Sequence, residues 1–255
     1  MGVMTETKIN GISLVVAPDA NAAAAIVADR FASLITANPQ AVLGLATGGT
    51  PVQTYQQLVQ KVQQGQLSFQ SVQSFNLDEY VGLKGDHPQS YRSFMNENLF
   101  HQVDINLDRT HVPDGAAADL ADQCQSYEAM IREAGGIDLQ LLGIGLNGHI
   151  AFNEPGSAAD SRTRLVDLTA NTIQANARFF DTIDEVPKQA VTMGIGTIME
   201  SKGIVLLATG EGKSHAVERM IQGPVDVELP ASILQQHPSL TVVTDPAAAS
   251  QIQMA

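Results

Sequence analysis

The chain has 255 residues, 44% hydrophobic and 5% aromatic with no Trp, which predicts a folded globular protein with a sizeable core and no platform of aromatic rings for single-stranded nucleic acid. Fourteen basic residues against twenty-seven acidic ones give a formal charge of −13, which works against nucleic acid and anionic membranes as partners. A single cysteine, Cys124, excludes an intramolecular disulfide and a cysteine-rich metal site; it reads as a small buried side chain on a helix.

In chain order, residues 1–10 are polar and carry Glu6, unlike a signal peptide. Glu6 also stands where a myristoylation motif wants Ser or Thr. No apolar run approaches the ~20 residues of a membrane span, so a cytoplasmic location is expected. Strands are expected at 12–17, 41–46, 72–77, 138–144, 203–208 and 240–243, several nearly continuous in apolar residues, as strands covered on both faces are. Helices are expected at 20–36, 51–63, 90–100, 116–134, 188–201 and 213–222. There is no internal repeat or low-complexity linker. The alternation predicts one α/β domain over 1–255, with a doubly wound, mostly parallel, Rossmann-like sheet flanked by helices. Ligands in such sheets bind beyond the carboxyl ends of the strands, so the residues after each strand carry the information.

Four of these ends are polar or glycine-rich. After the second predicted strand comes Thr47-Gly48-Gly49-Thr50-Pro51. Two glycines admit close backbone approach, and Thr50 and Pro51 suit a helix start whose open N–H groups favour an anion. An ordinary strand-to-helix turn is the plainer alternative. After the third comes Asn76-Leu77-Asp78-Glu79-Tyr80. Adjacent carboxylates point apart, so one can face a cleft as a general base while the other takes a structural partner. An Asp that merely caps a loop is the plainer alternative.

The fourth strand runs into Gly143-Ile144-Gly145-Leu146-Asn147-Gly148-His149, then Ile150-Ala151-Phe152-Asn153-Glu154-Pro155-Gly156. Its G-x-G-x-x-G spacing raises a dinucleotide site, with Asp167 near the place of a ribose-binding acid. Asn-Glu-Pro-Gly follows within a few residues and breaks the helix that such a site needs. His149 and Glu154 in one tight loop with Asn147 suit a proton carrier and its orienting partners; a surface His without a partner is the plainer alternative. After the fifth strand, Thr209-Gly210-Glu211-Gly212-Lys213-Ser214 lacks a Walker glycine at Leu207 but can set Lys213 on one phosphate. Arg178, among apolar neighbours, can hold a phosphate bidentately or form an ordinary surface ion pair. No histidine or acid spacing suggests a metal.

Together these segments resemble the glucosamine-6-phosphate deaminases, also called glucosamine-6-phosphate isomerases. The matching stretches are GLATGGTP at 44–51, FNLDEYVGL at 75–83, HPQSY at 87–91, GIGLNGHIAFNEP at 143–155, SRTR at 161–164, NARFFD at 176–181 and the Lys213 loop, in the family's order over nearly the whole chain. The resemblance implies conversion of glucosamine-6-phosphate and water to fructose-6-phosphate and ammonia, with no metal or organic cofactor. By resemblance, Asp78 moves the sugar C2 proton toward C1 and His149 opens the ring, with Glu154 and Asn147 positioning it. Gly48, Gly49, Thr50, Arg178 and Lys213 would bind the phosphate. Some members carry Asp where Asn147 stands; Asn cannot ionise, which leaves Glu154 as the charged partner.

Members activated by N-acetylglucosamine-6-phosphate use basic and polar residues after the Asn-Glu-Pro turn and a longer C-terminal tail. Here Ser157 and Arg164 are kept, Val166 replaces a Lys, and the chain ends at Ala255, so no allosteric activation is expected. A mobile lid over about 164–186 is implied, as is a monomer or small homo-oligomer acting on an amino-sugar phosphate. The competing readings are a 6-phosphogluconolactonase, which shares the fold but usually continues Asp-Gly-His with Thr-Ala-Ser-Leu-Phe-Pro, and a non-catalytic sugar-phosphate sensor.

Overall fold

The computed structural model describes residues 4–177, 180 and 182–253. The elements run β1 (Thr5–Ile9), β2 (Ile12–Val16), α1 (Ala20–Ala37), β3 (Val42–Leu45), α2 (Val52–Gln63), β4 (Gln73–Asn76), β5 (Asp78–Tyr80), α3 (Tyr91–Asn98), β6 (Thr110–His111), α4 (Leu120–Glu133) and β7 (Leu139–Leu142). They continue with β8 (Arg164–Asp167), α5 (Ala170–Asn176), β9 (Gln189–Thr192), α6 (Ile195–Met199), β10 (Ile204–Ala208), α7 (Ser214–Gln222) and β11 (Leu240–Thr244).

An eight-stranded sheet in the order β1-β2-β11-β10-β7-β3-β4-β6 forms the centre, parallel at every pairing except the β1–β2 hairpin. Its inner strands are buried on both faces, which is why β3 and β10 consist of apolar residues and one glycine. Helices flank it. α1 buries Ala23, Val27, Phe31 and Ile35, spaced by four, and Asp19 caps it by accepting the Ala22 N–H at 2.8 Å. From β3 the chain moves to β4 and β6 on one side, then returns to β7 on the other. The direction of winding therefore reverses between β3 and β7, and the loops leaving those strands part there to open a cleft.

The structure departs from the predicted elements in several places. The predicted helix at 188–201 is a buried strand, β9, followed by the short helix α6. Gln-Ala-Val-Thr is too short and too uniformly buried for periodicity to separate strand from helix. The polar N-terminal stretch, for which no element is predicted, forms β1, paired through an Asn10-Gly11 turn in which both residues have positive φ (51° and 85°). The helix expected at 116–134 begins only at Leu120, where Asp119 accepts the N–H groups of Ala121 and Asp122. Finally, a small antiparallel sheet in the order β5-β9-β8 stands beside the large one.

One residue joins the two sheets. Leu77 donates its N–H to Leu45 O in the large sheet (3.2 Å) and accepts the Met193 N–H from the small one (2.7 Å). Asp78, next in sequence, is thereby held at the seam, at the carboxyl end of β4.

Candidate active site

A cavity of about 1240 Å³ lies at the reversal point. Its lining brings together segments far apart in sequence: Gly48, Gly49 and Thr50 after β3, Asp78 at the seam, Asn147, His149 and Glu154 after β7, Thr169 and Thr172 around the start of α5, and Lys213 before α7. A second cavity of about 610 Å³ opens at the amino ends of β7, β10 and β11 against α1, away from all of these groups.

At the first strand end, Gly48 has φ +95°, a conformation that favours glycine, and no atom lies within 4 Å of where a Cβ would stand on it or on Gly49. The expectation that Thr50 caps the helix is not met. α2 begins at Val52, with Pro51 in the cap position and no side-chain hydrogen bond. Pro51 already has helical angles (φ −76°, ψ −11°), so the start moves by one residue. Among the described residues no hydroxyl accepts from the N–H groups of the first turn, which lies along the cavity.

Asp78 and Glu79 divide their directions as neighbours on a strand do. Asp78 lines the cavity, is 6% exposed, and receives no side-chain or backbone hydrogen bond among the described residues. Burial, with the neighbouring Glu79 charge second, pushes its pKa up to about 8. Glu79 turns instead to the start of α3. Its Oε1 accepts the N–H groups of Tyr80 and Tyr91, both at 2.9 Å, and its Oε2 accepts that of Arg92 at 3.1 Å.

After β7 no helix forms; the chain runs in turns to Gly156, with a bridge between Ile150 and Asn153. A dinucleotide loop is therefore absent here. Gly148 takes φ +82°, and a Cβ on Gly145 would collide with the His149 ring, so the imidazole lies flat over Gly145. His149 Nδ1 is 2.7 Å from Asn147 Oδ1, and Asn147 Nδ2 donates to Glu154 Oε2 at 2.7 Å. A carboxylate only accepts, so the Asn147 amide must turn its NH₂ to Glu154 and its oxygen to the ring. The proton of neutral His149 then sits on Nδ1, and Nε2 keeps its lone pair. Burial lowers the His149 pKa, as does Lys213, while Glu154 acts in the opposite direction. The ring is therefore neutral near pH 7, and its 3.6 Å approach to Glu154 Oε2 is not an ion pair.

Lys213 ends a short 3-10 turn and faces the cavity, its pKa lowered by burial, with no ion pair among the described residues. Arg178 lies outside the described residues. Sequence reasoning missed three supporting groups. Asp245, after β11, accepts the Gly210 N–H with both oxygens (3.1 and 3.0 Å) and the Ala248 N–H at 2.8 Å, which fixes the loop that carries Lys213. Tyr91 lines the cavity and donates to the Tyr80 hydroxyl at 3.2 Å. Thr172 donates to Glu154 Oε1 at 2.7 Å. Each acts on a partner distant in sequence, and no local pattern announces it.

A family model described as glucosamine-6-phosphate isomerases/6-phosphogluconolactonase matches residues 18–243. A glucosamine-6-phosphate deaminase from Rhodopirellula baltica is 59% identical over 242 residues, covering 95% of this chain and 96% of the relative. One from Clostridium perfringens is 51% identical over 228 residues, covering 89% and 94%. Among solved structures, a monomeric glucosamine-6-phosphate deaminase superposes with TM-score 0.91 at 47% identity, covering 93% of this chain and 98% of that one. A 6-phosphogluconolactonase from Trypanosoma brucei gives TM-score 0.75 at 21% identity, over 94% and 98%, a likeness of fold.

Proposed function

Since the chain belongs to the glucosamine-6-phosphate isomerase/6-phosphogluconolactonase family, we propose that it is a glucosamine-6-phosphate deaminase in which His149 moves the proton of ring opening and Asp78 the proton between C2 and C1. The observation that carries this reading is the pairing in one cavity of a buried carboxylate that receives no hydrogen bond among the described residues, Asp78, with a histidine whose tautomer is set, His149. The substrate phosphate binds the open backbone at Gly48, Gly49 and Thr50 with Lys213 and Arg178. Two cations and a helix start then offset the acidic field of the chain.

Chemistry follows from the two proton carriers. His149 Nε2 takes the proton of the anomeric hydroxyl and returns it to the ring oxygen, which breaks the C1–O5 bond and leaves an aldehyde. The C2 proton is acidic only once that carbonyl exists, so ring opening comes first. Asp78 removes the C2 proton while the sugar's own 2-ammonium group passes one of its protons to O1, giving an enolamine. Asp78 then returns its proton to C1, C2 becomes an iminium carbon, and water adds there and expels ammonia. A base that gives back what it takes works best with a pKa near the working pH, and burial has brought Asp78 there. Glu154 and Asn147 position His149. The segment over about 164–186 acts as a lid that closes on the phosphate and excludes water. The protein works in the cytoplasm as a monomer or small oligomer.

The experiment is to give glucosamine-6-phosphate to metal-stripped protein and assay ammonia and fructose-6-phosphate together. Equal amounts of both are expected. Hydrolysis of 6-phosphogluconolactone with no ammonia from the amino sugar would replace this reading with that of a lactonase. Binding without turnover of either would make the protein a sensor.

A further inference from the structure

The hydrogen bonds around His149 do not stop at Glu154. Glu154 Oε2 accepts from Asn147, and Oε1 accepts from the Thr172 hydroxyl at 2.7 Å. Thr172 lies on α5, and its hydroxyl is 3.0 Å from that of Thr169, the residue that caps α5 by accepting the Thr172 N–H at 3.2 Å. The Thr172 proton must point at the carboxylate, which cannot donate. The Thr169 hydroxyl must then donate to Thr172. Donation therefore converges on Glu154 from both ends of the chain. Thr169 gives to Thr172, Thr172 to Glu154 Oε1, Asn147 to Glu154 Oε2, and His149 Nδ1–H to Asn147 Oδ1.

We propose that Thr172 is a positioning residue that orients Glu154 and, through the Asn147 amide, holds the proton of His149 on Nδ1. The terminal torsion of a glutamate is soft, so one hydrogen bond does not hold its carboxylate plane. Two donors on opposite oxygens do. Without the Thr172 donor, one oxygen of a half-buried carboxylate loses its partner, and the group turns toward solvent. The Asn147 NH₂ then has no acceptor, only the His149 backbone N–H at 3.3 Å still holds Oδ1, and wherever the amide reverses it offers Nδ1 a donor in place of an acceptor. That moves the ring proton to Nε2 and removes the lone pair from the cavity. The helix next to the catalytic loop thus decides the protonation site of a ring it does not touch.

This inference rests on the deaminase reading for its kinetic consequence but not for its spectroscopic one. The test compares wild type, Thr172→Val and Thr172→Ser by ¹⁵N spectroscopy of histidine-labelled protein without ligand, with the His149 signals identified by their loss in His149→Gln. Wild type is expected to show Nδ1 protonated and Nε2 bare. Thr172→Val, which keeps the shape and removes the donor, is expected to show a mixture of tautomers. Its kcat should fall about tenfold, part of the 10²–10⁴ that a positioned proton carrier supplies, with KM within about twofold. Thr172→Ser restores the donor and is expected to restore both signals. A Thr172→Val spectrum identical to wild type, a protonated Nε2 in wild type, or failure of Ser to rescue overturns the proposal. If wild type releases no ammonia, the deaminase reading falls alone, because the spectra still decide the linkage.

Discussion

Asp78 is a carboxyl group whose environment differs sharply from water. It is buried at the seam of two sheets, beside the Glu79 carboxylate and without a donor among the described residues, and its pKa rises to about 8 from an ordinary 3.8. The folded protein therefore keeps a proton on Asp78 over an interval, about pH 4 to 8, in which the unfolded chain has lost it. Stability from this group is present below that interval and declines as pH rises through it. Asp78→Asn removes the titration, and each tenfold change in proton affinity between the folded and unfolded chain is worth about 1.4 kcal/mol. The variant is expected to melt higher than wild type at pH 8, with the difference shrinking toward pH 4, while losing about 10²–10⁴ in kcat. Melting curves at both pH values with an ammonia assay check this; a variant that retains wild-type activity removes Asp78 as the base. In wild type, kcat/KM should climb with pH through about 8, because free enzyme must ionise Asp78 before it accepts a proton.

Elements set the distances between these groups. The turn before β8 is clamped from three sides. Glu128 on α4 accepts from Thr163 N (2.8 Å), Thr163 Oγ1 (2.6 Å) and Thr197 Oγ1 (2.6 Å), Arg162 bridges Glu128 to Glu200, and Ser161 Oγ accepts the Ile195 N–H at the start of α6. Backbone contact is close at Gly194, where a Cβ would collide with the Ser161 carbonyl. Neither backbone yields cheaply there, so Gly194→Ala is expected to cost about 1–3 kcal/mol, read as a lower denaturant midpoint with unchanged slope. The Lys213 loop hangs from β11 in the same manner, through Asp245 and Gly210, whose φ of +87° only glycine tolerates well. Asp245→Ala should raise KM about tenfold, or about 1.4 kcal/mol, with kcat little changed, and weaken inhibition by inorganic phosphate in parallel. A fall in kcat at constant KM would place Asp245 outside the phosphate site.

Across the whole molecule, two sheets share one seam, and the cavity lies where the winding of the large sheet reverses. Arg164, at the start of β8, donates to Asn153 Oδ1 at 2.9 Å and to Ser157 Oγ at 3.3 Å. Its guanidinium is thus engaged within the chain, and Asn153 in turn donates to the carbonyls of Ile150 (3.0 Å) and Met193 (2.9 Å). With those groups satisfied internally, saturation by glucosamine-6-phosphate should be hyperbolic and insensitive to N-acetylglucosamine-6-phosphate. Sedimentation is expected to find a monomer or a small homo-oligomer. Sigmoidal kinetics relieved by the acetylated sugar would show a regulatory site and a coupled assembly instead.

Much of this was legible from residue order alone. Continuous apolar runs alternating with amphipathic ones require a parallel sheet with helices on it, because the backbone of a buried strand has to pair with other buried strands. The glycines at 48 and 49, the Asp78-Glu79 pair and the Asn147–Glu154 turn mark the strand ends, because polar and conformationally permissive residues there cannot serve the core. Short range also sufficed to reject a dinucleotide loop, since Pro155 and its neighbours forbid the helix. Other features depended on contacts between distant segments. β9 was indistinguishable from helix because so short a buried run carries no period. The small sheet joins the large one through Leu77, which pairs on both sides, and no local pattern marks that residue. Which of Asp78 and Glu79 faces the cavity was settled by α3, whose open N–H groups claimed Glu79. The tautomer of His149 depends on an amide seven residues from its carboxylate and on a hydroxyl eighteen residues beyond that carboxylate. Hydrogen-bond direction is a property of a closed network, and the network exists only once the chain has folded.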